Sequence, residues 1–180
     1  MQVGAIILAG GKSSRMGVDK GMMLLNEKPM VQYVIDAVKL VADEIIIVAN
    51  NKEYKQFGYP VVPDEIENAG PLAGICTGLK QAKYHYNFVL SCDVPFVTKE
   101  MLSLLKQEVA GYESVIFEKA NQLHPLIGIY SKNCLPAFEA ALNNKERRLK
   151  TVLHHVNLKK IDGTLFNDTF FKNINSRLDL

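Results

Sequence analysis

The sequence predicts an α/β fold in three layers, with helices on both faces of a mostly parallel sheet. Two observations predict it. Residues 3–8 and, following Glu44 in the stretch 44–49, Ile45 to Ala49 are apolar runs rich in β-branched residues without polar alternation, as expected of strands covered on both faces. Between them, residues 30–41 place Val31, Val34, Ile35, Val38 and Val41 at helical spacing along one stripe. Strand and helix signals then keep alternating, which is the pattern of βαβ units.

The remaining elements follow in order. Residues 21–29 give a short apolar piece and a polar turn. Val61 and Val62 form a brief strand that closes at Pro63-Asp64. A loop through Gly70-Pro71-Leu72-Ala73-Gly74 leads into a helix over about 75–83. Residues 88–91 form another buried strand ending in Cys92-Asp93-Val94-Pro95, and Thr98 and Glu100 open a helix through Leu105. Strands are expected over 114–118 and 126–130, joined by 119–125, which contains His124-Pro125. Helices over 133–142 and 148–155 precede a last strand near 158–161.

At 180 residues and 48% hydrophobic composition, the chain suits one domain over 1–180 with a substantial core. A formal charge of +2 argues against general nucleic-acid binding, so any anion site must come from local clustering. Cys76, Cys92 and Cys134 are odd in number and lack C-x-x-C spacing. They support neither a disulfide framework nor a zinc site, and read as buried thiols. The N-terminus enters a strand directly and no apolar run nears 18 residues, so a cytoplasmic protein without membrane association is expected.

In open α/β sheets, ligands sit beyond the carboxyl ends of the strands. Gly10, Gly11, Asn50, Asp64 and Asp93 all follow strands and should meet on that edge. Gly10 and Gly11 free the backbone for close approach to an anion, and Lys12, Arg15 and Lys20 follow within the same stretch. Cations and free amides at a strand end make a cradle for a polyphosphate. The spacing matches neither G-x-x-x-x-G-K-[ST] nor G-x-G-x-x-G. Asp93 suits Mg²⁺, which binds through one or two carboxylates and takes other oxygens from phosphates and water; a plain turn aspartate is the other reading. Asn50 and Asp64 also fit turn chemistry, His124 a satisfied core or loop position, and Arg147-Arg148 either a solvated face or an anion clamp.

The ordered segments LAGGKSSRMGVDK at 8–20, LNEKPM at 25–30, VAN at 48–50, VVPD at 61–64, GPLAGI at 70–75, CDVP at 92–95, HPL at 124–126 and FKNINSRLDL at 171–180 resemble the molybdenum cofactor guanylyltransferases. After Asn175 the chain carries Ser176-Arg177, where that family usually has Thr-Pro. The resemblance implies a Rossmann-like sheet of the nucleotide-diphospho-sugar transferase type. It implies that Leu8, Ala9 and Gly10, with Gly11 beside them, contact a guanine nucleotide, that Lys20 meets its phosphates, and that Asn50 and Asp64 take its base or sugar side. Asp93 would touch the nucleotide and hold Mg²⁺, and Arg15 would help neutralise the phosphates. His124, Arg147, Asn173 and Asn175 would face the acceptor.

The implied reaction is transfer of GMP from GTP to the terminal phosphate of molybdopterin or Mo-molybdopterin, releasing pyrophosphate. Cofactor insertion and acceptor proteins are further expected partners. Two other readings use the same segments. One is a molybdopterin cytidylyltransferase or sugar-phosphate nucleotidyltransferase. Related cytidylyl enzymes tend to have Ala-Ala-Gly where this chain has Ala9-Gly10-Gly11, and glycine at position 10 leaves more room for a purine. The other is a non-catalytic GTP-binding module that delivers the cofactor.

Overall fold

The computed structural model of the protein describes residues 1–10, 19–64, 66 and 70–175. Its framework is a sheet of seven strands: β1 (Val3–Leu8), β4 (Glu44–Val48), β5 (Val61–Val62), β6 (Tyr86–Ser91), β7 (Ser114–Lys119), β8 (Gln122–Ser131) and β9 (Leu158–Asp162). A separate two-stranded hairpin is made by β2 (Leu24–Leu25) and β3 (Lys28–Pro29). The order across the large sheet is β5-β4-β1-β6-β8-β7-β9. Neighbours are parallel except where β8 runs antiparallel to β6 and β7.

Helices cover both faces because successive strand residues point to opposite sides. On one face Val3, Ala5 and Ile7 pack with Val31, Val34, Ile35 and Val38 of α1 (Met30–Val38) and Met101, Leu102 and Leu105 of α3 (Lys99–Glu108). On the other face Ile6 and Leu8 meet Leu72, Ile75 and Leu79 of α2 (Pro71–Gln81), Phe138 of α4 (Leu135–Asn143), and Leu149 and Val152 of α5 (Leu149–Val152). A helix of α5's length cannot stand alone in water, so burial of those two side chains holds it. Cys76, Cys92 and Cys134 are all buried free thiols.

Several boundaries differ from the sequence expectation, each for a local reason. α1 stops at Val38, where the Val38 carbonyl accepts from both Val41 and Ala42 and the chain turns toward Asp43, whose N–H bonds Val3. α2 begins at Pro71 rather than near Ile75, because proline at a first helical position gives up no needed hydrogen bond. Only 149–152 of the expected helix over 148–155 is α-helical, and 153–155 tighten into a 3-10 turn.

The largest difference concerns 119–125. Ala120 and Asn121 both take positive φ, 49° and 61°, as a tight hairpin turn requires, and β8 starts directly afterwards. His124 and Pro125 therefore lie inside a strand. The register jumps from Ile116 opposite Gly128 to Phe117 opposite His124. This irregularity accommodates Pro125, which has no N–H to give to a ladder. The Pro125 carbonyl accepts from the Tyr130 hydroxyl at 2.7 Å.

Candidate active site

The carboxyl ends of β1, β4 and β6 are held level by two bonds beyond the ladders. Ala9 N–H donates to the Val48 carbonyl at 2.9 Å, and Cys92 N–H donates to the Leu8 carbonyl at 3.0 Å. Leu8 and Ala9 are buried on this edge and Gly10 is exposed beyond them. Gly11 and Arg15 lie outside the described residues.

After β4, Asn50 accepts the Asp64 N–H at 3.0 Å, which ties the ends of β4 and β5 together. Asp64 is further fixed by accepting the Ile66 N–H at 3.3 Å. The first turn of α2 passes over this point: a Cβ on Gly74 would lie 3.1 Å from Leu8 Cδ2 and 3.9 Å from Asp64 Oδ2. Glycine there lets the helix approach the edge closely. Asn50, Asp64 and Leu8 thus form one group beside a helix N-terminus.

Lys20 stands at the start of a 3-10 turn (Lys20–Met22) capped by Asp19, whose Oδ1 accepts the Gly21 N–H at 3.1 Å. Lys20 Nζ donates to Asn175 Oδ1 at 2.7 Å. Next to Asn175, Ile174 is fully buried with Leu25 and Met30, and its N–H donates to the Asp93 carbonyl at 2.9 Å. A single C-terminal segment therefore connects the Lys20 turn to the end of β6. Asp93 Oδ1 is buried and has no hydrogen-bond partner among the described residues. A buried carboxylate oxygen left in that state is costly unless a ligand, ion or donor meets it.

His124 joins the same edge from β8. Its ring lies on Phe171, with centroids 4.6 Å apart, and burial together with the charges of Lys150 and Lys119 lowers its pKa below the ordinary 6.5. Residues 172–175 then run from Phe171 to Asp93 and Lys20. Asn173 is exposed along that run. Arg147 is placed elsewhere on the edge, its carbonyl 3.7 Å from a Cβ built on Gly70, beside the start of α2. The structure thus brings His124, Asn173, Asn175, Lys20 and Asp93 onto one track and sets Arg147 on the Asp64 side.

Among the described residues no group of three or more His, Cys, Asp or Glu converges as a metal site. A divalent cation at Asp93 must accordingly draw most of its oxygens from phosphates and water, as Mg²⁺ commonly does. The orphaned Oδ1 fits that use.

Sequence reasoning missed Tyr54 and Asn51. Both contact Asp19: the Tyr54 hydroxyl donates to Oδ1 and Asn51 Nδ2 to Oδ2, the latter at 3.1 Å. Only their position shortly after β4 could have pointed to them. A tyrosine in a polar stretch gives no sign that it is fully buried.

Comparison with known proteins gives the family and the fold. Residues 5–160 match the family model described as a MobA-like NTP transferase domain. A Flavobacterium johnsoniae protein named "Probable molybdenum cofactor guanylyltransferase" is 34% identical, the alignment covering 97% of this chain and 92% of that protein. The molybdenum cofactor guanylyltransferase of Pasteurella multocida is 32% identical over 98% and 96% of the two chains. Among solved structures, molybdopterin-guanine dinucleotide biosynthesis protein A of Archaeoglobus fulgidus superposes with a TM-score of 0.81 at 22% identity, covering 99% of this chain and 94% of that one. With the sheet edge, the glycine-bearing strand end and the family match in agreement, the chain belongs to the MobA-like NTP transferases.

Proposed function

We propose that the protein transfers GMP from GTP to the terminal phosphate of molybdopterin, in its free or molybdenum-bound form, giving the guanine dinucleotide cofactor and pyrophosphate. The observation that carries this reading is the joining of Lys20 and Asp93 by residues 174–175, with Asp93 Oδ1 unpaired. A cation on the Lys20–Met22 turn and an unsatisfied carboxylate oxygen just past the end of β6 are the two groups a triphosphate with its counter-ion needs. The guanylyltransferase relatives supply the nucleotide and the acceptor.

In this mechanism an oxygen of the acceptor phosphate attacks the α-phosphorus of GTP. The bond from that phosphorus to the bridging oxygen breaks, and pyrophosphate leaves with the electron pair. A phosphate acceptor is already ionised near neutral pH, so little general-base work is required. Leu8, Ala9 and Gly10, with Gly11 beside them, line the nucleotide, while Asn50 and Asp64 take its base or sugar side. Lys20 and Arg15 oppose the charge that accumulates on the departing pyrophosphate. Mg²⁺ held by Asp93 would supply further charge neutralisation on the triphosphate. His124, Asn173 and Asn175 border the track on which the acceptor would lie, while Arg147 stands apart from it beside the start of α2. No helix among the described residues is long and apolar enough to cross a membrane; a cytoplasmic location is part of this proposal.

The test is pyrophosphate release by purified protein with Mg²⁺ and molybdopterin, comparing GTP, CTP, UTP and ATP, with acceptor-free and EDTA controls. Release with GTP, dependent on acceptor and abolished by EDTA, is expected. Release with CTP alone would reassign the base. Nucleotide binding without release would favour a delivery module.

A further inference from the structure

Tyr54 is the feature that the reaction above leaves unexplained. It lies in the 3-10 segment Lys52–Phe57 after β4, is 0% exposed, and is among the largest wholly buried side chains. Its hydroxyl is nevertheless polar and must be satisfied inside the core. It donates to Asp19 Oδ1, and Cys92, which immediately precedes Asp93, borders the same spot beneath Gly21.

The surroundings fit this hydroxyl closely. A Cβ on Gly21 would stand 2.2 Å from Tyr54 Oη and 3.2 Å from Cys92 Cβ, so the turn carrying Lys20 passes directly over the phenol tip and the start of the Asp93 turn. Only a residue without a side chain can make that crossing. Asp19 is meanwhile held on both oxygens, by Tyr54 and the Gly21 N–H on one and by Asn51 Nδ2 on the other. Burial drives the Tyr54 pKa far upward, so the group stays a neutral donor. One buried hydroxyl therefore stands between the turn that presents Lys20 and the turn that presents Asp93.

We propose that Tyr54 is a positioning residue: through Asp19 it fixes the Lys20 turn against the end of β6, so that the ammonium group and the Asp93 carboxylate address the same triphosphate. The proposal rests on the roles given above to Lys20 and Asp93. A hydrophobic core needs no phenol at this place, since phenylalanine would fill the same space. What the hydroxyl adds is a rigid link to Asp19, and displacement of a charged group by about 1 Å is enough to cost up to ~100-fold in rate.

Two measurements on Tyr54→Phe test it. In the first, the lysines are carbon-13 dimethylated and the Lys20 resonance, assigned through Lys20→Arg, is followed by NMR without any substrate. A shifted or broadened Lys20 signal is expected, while lysines remote from the turn stay unchanged; an unaltered Lys20 signal overturns the proposal whether or not the protein is a guanylyltransferase. In the second, if the wild type releases pyrophosphate, kcat for Tyr54→Phe should fall roughly 10-fold or more with little change in melting temperature. A wild-type kcat in the variant also overturns it.

The double variant Gly21→Ala, Tyr54→Phe separates positioning from packing. Removing Oη relieves the 2.2 Å clash, so the pair should melt higher than Gly21→Ala alone. Its kcat should nonetheless remain at or below that of Tyr54→Phe. Recovery of full turnover together with stability would show a packing role only and would overturn the assignment.

Discussion

Lys20 Nζ donates to Asn175 Oδ1 at 2.7 Å although the two residues are 155 positions apart. This bond and the Ile174–Asp93 backbone bond tie residues 174–175 to the candidate site. Asn175→Ala should leave stability within about 0.5 kcal/mol, as expected of an exposed contact. Turnover should fall roughly 10-fold, because Lys20 loses the partner that orients it. Steady-state kinetics beside a thermal melt would read both effects.

Ile174 anchors that segment with Leu25 and Met30 and is fully buried. Ile174→Ala should destabilise by about 2–3 kcal/mol, the lower part of the range for such core truncations, since a terminal segment can relax. The C-terminus should also become protease-sensitive before the rest of the chain unfolds. Limited proteolysis followed by mass spectrometry would show whether cleavage begins there.

Asp93 gives an opposite pattern. Its buried Oδ1 has no partner, so the carboxylate contributes little to holding the fold. Asp93→Asn should keep stability within about 1 kcal/mol of the wild type. Pyrophosphate release should drop on the order of 100-fold or more, because the carboxylate that would hold the charge-neutralising cation is lost. Denaturant unfolding and the release assay, run on one preparation, separate the two. Wild-type turnover in this variant would remove Asp93 from the mechanism.

His124 predicts a pH dependence of stability. Burial, aided by Lys150 and Lys119, lowers its pKa in the fold below 6.5, so the unfolded chain takes up its proton first. This contribution is complete above the unfolded value and is lost as pH falls through 6.5 toward the lower folded value. Between pH 7.5 and 5.5 the wild type should therefore lose stability more steeply than His124→Gln, as measured by urea midpoints. Parallel slopes would contradict the assignment.

The sequence by itself determined the layers and the edge. β-branched apolar runs of strand length without alternation read as strands covered on both faces, and the stripe of Val31, Val34, Ile35 and Val38 reads as a helix facing them. Strand-end positions then placed Gly10, Asn50, Asp64 and Asp93 on one side of the sheet, because parallel strands share a direction. What the sequence concealed was whatever depends on long-range contact. The Ala120-Asn121 turn has no glycine to mark it, and a register irregularity absorbs Pro125, so His124 reads as loop until β7 and β8 are paired. Tyr54 lies in a polar stretch, and its burial follows only when β4, β6 and the Lys20 turn come together. The union of Lys20, Asp93 and residues 174–175 likewise has no local signal. Local propensity and periodicity act within a few residues, whereas hydrogen bonds between segments far apart in the chain are decided by the tertiary fold that brings their ends to one edge.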